Sequence, residues 1–366
     1  MKKILVLFVS FFILSANVFA EDMTFLPSVN GLVQNVVYEN ADDNETIQTR
    51  QIAEVKLLNG DNKGETLLLE NILTGNPAYD ITLKKGSKVV LHVEQDENGM
   101  EYSISDVKRS DILVWLSFIF CGLLVFVGKR KGLFSLVAIV LTCLLIFYAL
   151  TPLILFGINP VLATIILCII STALTMYLVG GINRKSSSAL LGTVLSLLFA
   201  GVLSLITVKV ALLNGISGEN ALFLYSAHPQ LNFVAILVST MILATLGAVM
   251  DVAMSIASTI NEIYTIDNTK TVKELFVSGM NVGKDIIGTM ANTLILVYLG
   301  SSLPLLLLAS NIDFQKFINL NQVVAEISSA LIGSSAIVIC VPLTAFVASQ
   351  LVKNLPVKID FSQLKE

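Results

Sequence analysis

Residues 247–263 read Gly247-Ala248-Val249-Met250-Asp251-Val252-Ala253-Met254-Ser255-Ile256-Ala257-Ser258-Thr259-Ile260-Asn261-Glu262-Ile263. A single carboxylate, Asp251, interrupts an apolar run with the character of a lipid-embedded helix. Ionisable groups are costly in hydrocarbon, so such a residue marks a functional site by default. In a helix, Asp251, Ser255, Ser258 and Glu262 stand at i, i+4, i+7 and i+11 and share one face. Gly247, Ala248 and Ala253 supply small surface for close helix contact. Downstream, Asn281, Asp285 and Asn292 align in the same way, with Thr289 adjacent and Gly288 on the same side. Two neighbouring helices of this kind predict a polar seam suited to a cation, a proton or a polar solute.

The depth of Asp251 separates two readings of that seam. The mostly apolar stretch from Phe233 to Ile260 is longer than one crossing needs. A crossing that begins at Phe233 puts Asp251 close to the inner headgroups, in a structural role. One that begins nearer Met241 puts it mid-membrane, in a pathway.

Working outward, the chain has 55% hydrophobic and 14% charged residues, away from soluble averages in both directions. From about residue 110 the apolar residues gather into long blocks. Seven spans are expected, at 111–128, 133–151, 160–180, 187–208, 233–258, 285–309 and 331–352. Each is close to the ~20 residues that cross ~30 Å of hydrocarbon. The fold class is therefore membrane all-α over 110–353, followed by a tail at 354–366.

The first twenty residues read as a signal peptide: a basic Met1-Lys2-Lys3, an apolar Ile4–Leu14 run, and Val18-Phe19-Ala20 before Glu21. Residues 21–49 read as a polar lead-in. From 50 to 109, short alternating segments with turns between them predict a small exported β-barrel of OB-like size. Ala53, Val55 and Leu57 share one strand face, Val89, Leu91 and Val93 another, and Asn59 to Gly64 is a strong turn. Export of this domain puts 129–132, 181–186, 259–284 and the tail inside. Those segments hold eleven Lys and Arg, against Lys209 and Lys316 on the other side, as the positive-inside rule requires.

Several chemistries are disfavoured. Between Glu21 and Arg109, 16 acids stand against 8 bases, which argues against nucleic-acid or anionic-lipid partners there. The exported domain is expected instead to contact a protein or a ligand. Cys121, Cys143, Cys168 and Cys340 lie in expected spans without CxxC spacing, so no thiolate metal site or disulfide framework is predicted. There is no P-loop, dinucleotide turn or metal cluster, and no cofactor is expected. An intramembrane aspartyl hydrolase would pair two carboxylates, yet Gly283-Lys284-Asp285 lacks the Gly-x-Gly-Asp pattern. Gly215-Ile216-Ser217-Gly218 is not a serine nucleophile elbow, and His92 and His228 read as structural or solvated. In the inner loop 259–284, Thr271 to Ser278 predicts a short helix ended by Gly279, a weak match to segments that dock a cytosolic ATPase.

The run from Gly247 to Ala257 with Asn261-Glu262-Ile263, and Gly283-Lys284-Asp285 with Met290-Ala291-Asn292-Thr293, resembles the YibE/F-like family of bacterial membrane proteins. The layout is similar too: a signal sequence, a small exported β-rich domain, then a multi-span bundle. The resemblance implies architecture and a bacterial cytoplasmic-membrane location, and brings no catalytic residues. The expected function is movement of an ion or small solute through a seam lined by Asp251, Asp285 and Asn292. The alternative is a non-transporting scaffold or sensor whose exported domain binds a partner.

Overall fold

The computed structural model describes residues 29–40, 49–76, 78, 80–96 and 99–354. The expected signal peptide and C-terminal tail lie outside the described residues. The chain divides into two compact units, 1–124 and 125–366.

Among the described residues, the first unit contains five strands: β1 Val29–Asn40, β2 Thr49–Leu57, β3 Thr66–Leu73, β4 Lys88–Asp96 and β5 Gly99–Val107. Their order is β3-β2-β1-β4-β5, every neighbouring pair is antiparallel, and β3 approaches β5, leaving a nearly closed barrel. Alternation builds the core. Ala53, Val55, Leu57, Val89, Leu91 and Val93 all point inward, as their period of two predicts. The expected lead-in is a correction: β1 lies within 21–49 and is the central strand, paired with both β2 and β4. Its polar sequence hid it, because most of its C-terminal half faces outward.

Two details hold the barrel closed. A Cβ at Gly31 would collide with Val55 Cγ1 on the neighbouring β2 and crowd Val89 on β4, so glycine leaves room for those two core side chains. Leu83, from the connection between β3 and β4, plugs the core and is fully buried. A buried amide network anchors it. Leu83 N donates to Gln51 Oε1 at 3.1 Å, and Asn71 Nδ2 donates to Gln51 Oε1 at 2.8 Å and to Ile81 O at 2.6 Å.

Ten α-helices follow among the described residues: α1 Ser110–Leu145, α2 Thr151–Leu155, α3 Pro160–Gly180, α4 Arg184–Val210, α5 Glu219–Ala227, α6 Phe233–Ile266, α7 Val272–Ser301, α8 Leu303–Leu308, α9 Phe314–Ile318 and α10 Asn321–Asn354. Among the described residues, six helical stretches are long and apolar enough to cross a membrane, which makes this a multi-pass membrane protein. The first stretch runs from Ser110 to Leu155 over 46 residues, ~69 Å at 1.5 Å per residue, twice what one crossing needs. Its helical geometry breaks at Lys129, with φ 47° and ψ −128°, inside Gly128-Lys129-Arg130-Lys131-Gly132. A non-glycine residue in that region is strained by ~1–3 kcal/mol. The break falls where the sequence expects the first two spans to part.

In the second unit, α4, α6 and α10 form the packed centre, with α7 against α10 and α6, and α3 against α6 and α4. Small residues set the spacing. A Cβ at Gly192 would lie 2.1 Å from Thr344 Oγ1, one at Gly279 2.6 Å from Ile260 Cδ1, and one at Gly283 2.2 Å from Val341 Cγ1. The Gly279-x-x-x-Gly283 repeat on α7 thus seats that helix against α6 and α10, the contact mode of membrane helices.

The segment 259–284 differs from its expected form as a loop. It is the end of α6, a turn around residues 267–271, and the start of α7. Gly279 ends no short helix but lies buried inside α7. Span six therefore begins earlier than expected, and Pro304 starts the separate helix α8 rather than kinking a span. The segment 210–232 holds α5, whose Leu222 and Phe223 are exposed.

Candidate functional site

Every expected seam residue lies on a regular helix. On α6, the faces carrying Val249, Val252, Ala253, Ile256, Ala257 and Ile260 are fully buried against the bundle. Asp251 is offset by about half a turn from that stripe, so helical geometry turns it away from the packed centre. Asp251, Ser255 and Glu262 are exposed and Ser258 is partly exposed. The same split recurs on α7. Leu275, Gly279, Gly283 and Leu294 are buried, whereas Asn281, Lys284, Asp285, Gly288, Thr289 and Asn292 are exposed. One close approach between α6 and α7 is that of Ile260 to Gly279. The polar residues form two outward stripes, and among the described residues no hydrogen bond joins one stripe to the other.

The hydroxyls in these stripes fold back on their own helices. Ser255 Oγ donates to Asp251 O at 2.9 Å, and Thr289 Oγ1 donates to Ile286 O at 3.0 Å. The carboxylates of Asp251, Glu262 and Asp285 have no hydrogen-bond or ion-pair partner among the described residues. They remain available to a cation, a donor or another chain.

Contacts with α10 fix the level of the stripes within the bundle. The run 327–352 of α10 carries no charge between Glu326 and Lys353, and Cys340 is at its middle. Cys340 Sγ lies 3.5 Å from Val249 O, two residues before Asp251. Val341 abuts Gly283, which immediately precedes Lys284 and Asp285. One cation and two carboxylates therefore stand level with the centre of the longest uncharged run that any one described helix of the bundle contains. Sequence reasoning left this level open, because it turns on which residues of different helices are neighbours.

Sequence reasoning missed a second polar set. Thr164, Thr172, Ser186, Ser188, Thr193, Ser196, Ser204, Thr245 and Thr344 are all fully buried in the interior. Most are satisfied locally: Ser196 Oγ donates to Gly192 O at 2.7 Å, Ser204 Oγ to Ala200 O at 2.8 Å and Thr245 Oγ1 to Met241 O at 2.7 Å. Thr164, Ser186, Thr193 and Ser334 keep buried hydroxyls with no partner among the described residues. Within this set, Gly192 on α4 packs tightly against Thr344 on α10. A small cavity lined by Thr142, Thr164, Cys168, Ser171 and Leu243 lies beside it, with Thr142 and Ser171 hydroxyls 2.9 Å apart.

Glu274, weighed in sequence as part of an ATPase-docking motif, is engaged locally. Thr271 N donates to its Oε2 at 2.7 Å, while Glu274 N donates to Thr271 Oγ1 at 3.2 Å. This is a capping box that starts α7. No group of three or more metal-ligating side chains occurs among the described residues.

Comparison with protein families gives two matches. The profile described as YibE/F-like protein matches residues 116–354, and that of the YibE/F family N-terminal domain matches residues 32–107. No curated protein and no solved structure matches the chain.

Proposed function

The chain belongs to the YibE/F-like family, and for this member we propose movement of an ion or small polar solute across the membrane along the outer faces of α6 and α7. Asp251, Asp285 and Asn292 line the path, with Ser255, Ser258, Glu262, Asn281 and Thr289 continuing it along the helices. One observation carries the reading. Unpaired Asp251 and Asp285 stand level with Cys340, at the middle of an uncharged run of α10. A charged side chain at that depth costs ~2.5–3.5 kcal/mol on insertion scales, a burden without purpose if the stripe only packs against lipid. In this reading the chain crosses seven times in a bacterial cytoplasmic membrane, after an N-terminal signal sequence. The OB-like barrel is outside and the C-terminus inside.

The test is flux in proteoliposomes over a broad panel of ions and small solutes. Wild type is expected to conduct at least one of them, and Asp251→Asn and Asp285→Asn to lower its flux at least tenfold. A wild type silent across the panel would sink the proposal.

A scaffold or sensor role is the second reading, favoured by exposed apolar residues on the barrel. Leu68 is 71% exposed on β3, with Ile72 on the same face of that strand, a surface suited to a protein partner. A hydrolase has less support, since Asp251 and Asp285 share no hydrogen bond through which to hold a common proton.

A further inference from the structure

We propose that the outward face of α6 and α7 is covered by a second copy of this chain, inserted in the same direction and related by a two-fold axis along the membrane normal. The inference rests on the transport reading for the depth it assigns to this face, and it names what closes the pathway.

Lys284, Asp251 and Asp285 are exposed at one level and have no ion-pair partner among the described residues. Lipid tails carry no polar group at that depth. The chain's other apolar runs cannot supply one either: residues 112–127, 133–155, 160–180 and 186–208 contain no charged side chain. Any of these could cover the face, but none could pair with it.

A second copy can. A two-fold contact is isologous, so a patch must hold both partners of every pair it makes. This patch does: Lys284 is a cation, and Asp251 and Asp285 are carboxylates at the same level. Parallel insertion brings like depths together, placing each Lys284 opposite the carboxylates of the other copy. Asn281, Thr289 and Asn292 add donors and acceptors that suit interhelical hydrogen bonds. The backbone permits the approach, since Gly247 and Gly288 lie on this face with no atom within 4 Å of a Cβ built on either. Facing stripes from two copies would enclose the polar residues between them.

Cysteine crosslinking of the full chain in native membranes tests this, with Cys121 and Cys143 replaced by serine and the buried Cys168 and Cys340 retained. Ser255→Cys and Gly288→Cys are expected to give covalent dimers. Val202→Cys on α4 and Phe346→Cys on α10, both exposed on other faces, are expected to give none. Lys284→Asp should lower the dimer yield at least tenfold, and Lys284→Asp combined with Asp285→Lys should restore it. Native mass of the unmodified protein in lipid nanodiscs gives a readout independent of any substitution, and a dimer is expected. A monomeric mass, equal crosslinking at all four positions, or crosslinks from residue 288 to the chain's own residue 121 when that cysteine is kept would each overturn the proposal. Flux separates it from the reading it rests on. A dimer without flux removes transport and leaves the interface standing, whereas flux from a demonstrated monomer removes the interface alone.

Discussion

At the scale of single residues, close packing without spare volume decides what the bundle tolerates. Gly192→Ala would place a methyl 2.1 Å from Thr344 Oγ1 and 3.1 Å from Thr344 Cα, so backbone as well as side chain must yield. Overpacking of this kind costs ~1–3 kcal/mol, and a lowered thermal midpoint in detergent measures it. Gly300→Ala, with nothing within 4 Å, should leave that midpoint unchanged or raise it slightly. In the barrel, Gln51→Met removes the acceptor of the buried Leu83 N–H, at ~1–3 kcal/mol for an unsatisfied group. Limited proteolysis should then cut the connection between β3 and β4 faster. Asp80 gives that connection a pH dependence. Its carboxyl is held below the usual range chiefly by the Thr74 N–H, with the Thr74 hydroxyl and the Gly75 N–H adding to it, against an opposing effect of desolvation that ranks second. A depressed folded value means the stabilisation is present above the unfolded value of ~3.9 and is lost as pH falls through the folded one. Below about pH 4 the wild type should lose protease resistance in this connection, whereas Asp80→Asn should change little with pH. Legibility at this scale followed contrast. Asp251 stood out as a charge among apolar neighbours, while the buried hydroxyls of α4 did not, because a serine bonded to its own helix has the same spelling inside a core as outside.

At the scale of elements, periodic burial was readable and continuity was not. The alternation in β2 and β4 and the apolar blocks of α3, α4 and α10 each face a uniform environment, so their pattern survives in sequence. The β1 strand and the first half of α7 each have one face buried and one polar, and a mixed pattern there looks like a lead-in or a loop. What starts α7 is the Thr271–Glu274 capping box, reinforced by the Thr271 hydroxyl, which donates to Glu274 Oε2 at 2.8 Å. Asp267 orders the turn before it by accepting from the Thr269 hydroxyl and backbone N–H. Thr271→Ala removes the reciprocal cap and should cost ~1 kcal/mol, within the 0.5–2 range of such substitutions. Because Leu275 and Gly279 are buried one and two turns further on, the loss should fray α7 as far as its first packed residue. Hydrogen exchange at residues 272–275 should quicken, with no change beyond Gly283. Equal protection of that first turn in the variant would mean that packing, not the cap, fixes where α7 begins.

At the scale of the molecule, the number of crossings decides which compartments the barrel and the bundle's end occupy. An even count puts the barrel and the end of α10 on one side, and an odd count puts them on opposite sides. The arithmetic turns on one stretch, Ser110–Leu155. At ~69 Å it is too long for a single ~30 Å crossing, and its helix breaks at Lys129, within three consecutive basic residues. Three charges in the middle of one crossing would cost far more than the ~1–3 kcal/mol of a strained backbone, so the break belongs at an interface and the stretch crosses twice. With a double crossing there, the other five long helices would bring the proposed count to seven. On the proposed count, Lys129, Arg130, Lys131, Arg184, Lys185, Lys270, Lys273 and Lys353 would share one side, away from the exported barrel, as the positive-inside rule expects. The expected outcome follows from single cysteines in intact cells. Arg130→Cys and Lys353→Cys should resist a membrane-impermeant maleimide until the membrane is opened, while Lys63→Cys in the barrel and Asn159→Cys between α2 and α3 should label at once. Immediate labelling at residue 130, with residue 353 and the barrel on one side, would establish an even count. It would also put the tri-basic break outside the membrane and leave residues 133–155 to make the first crossing.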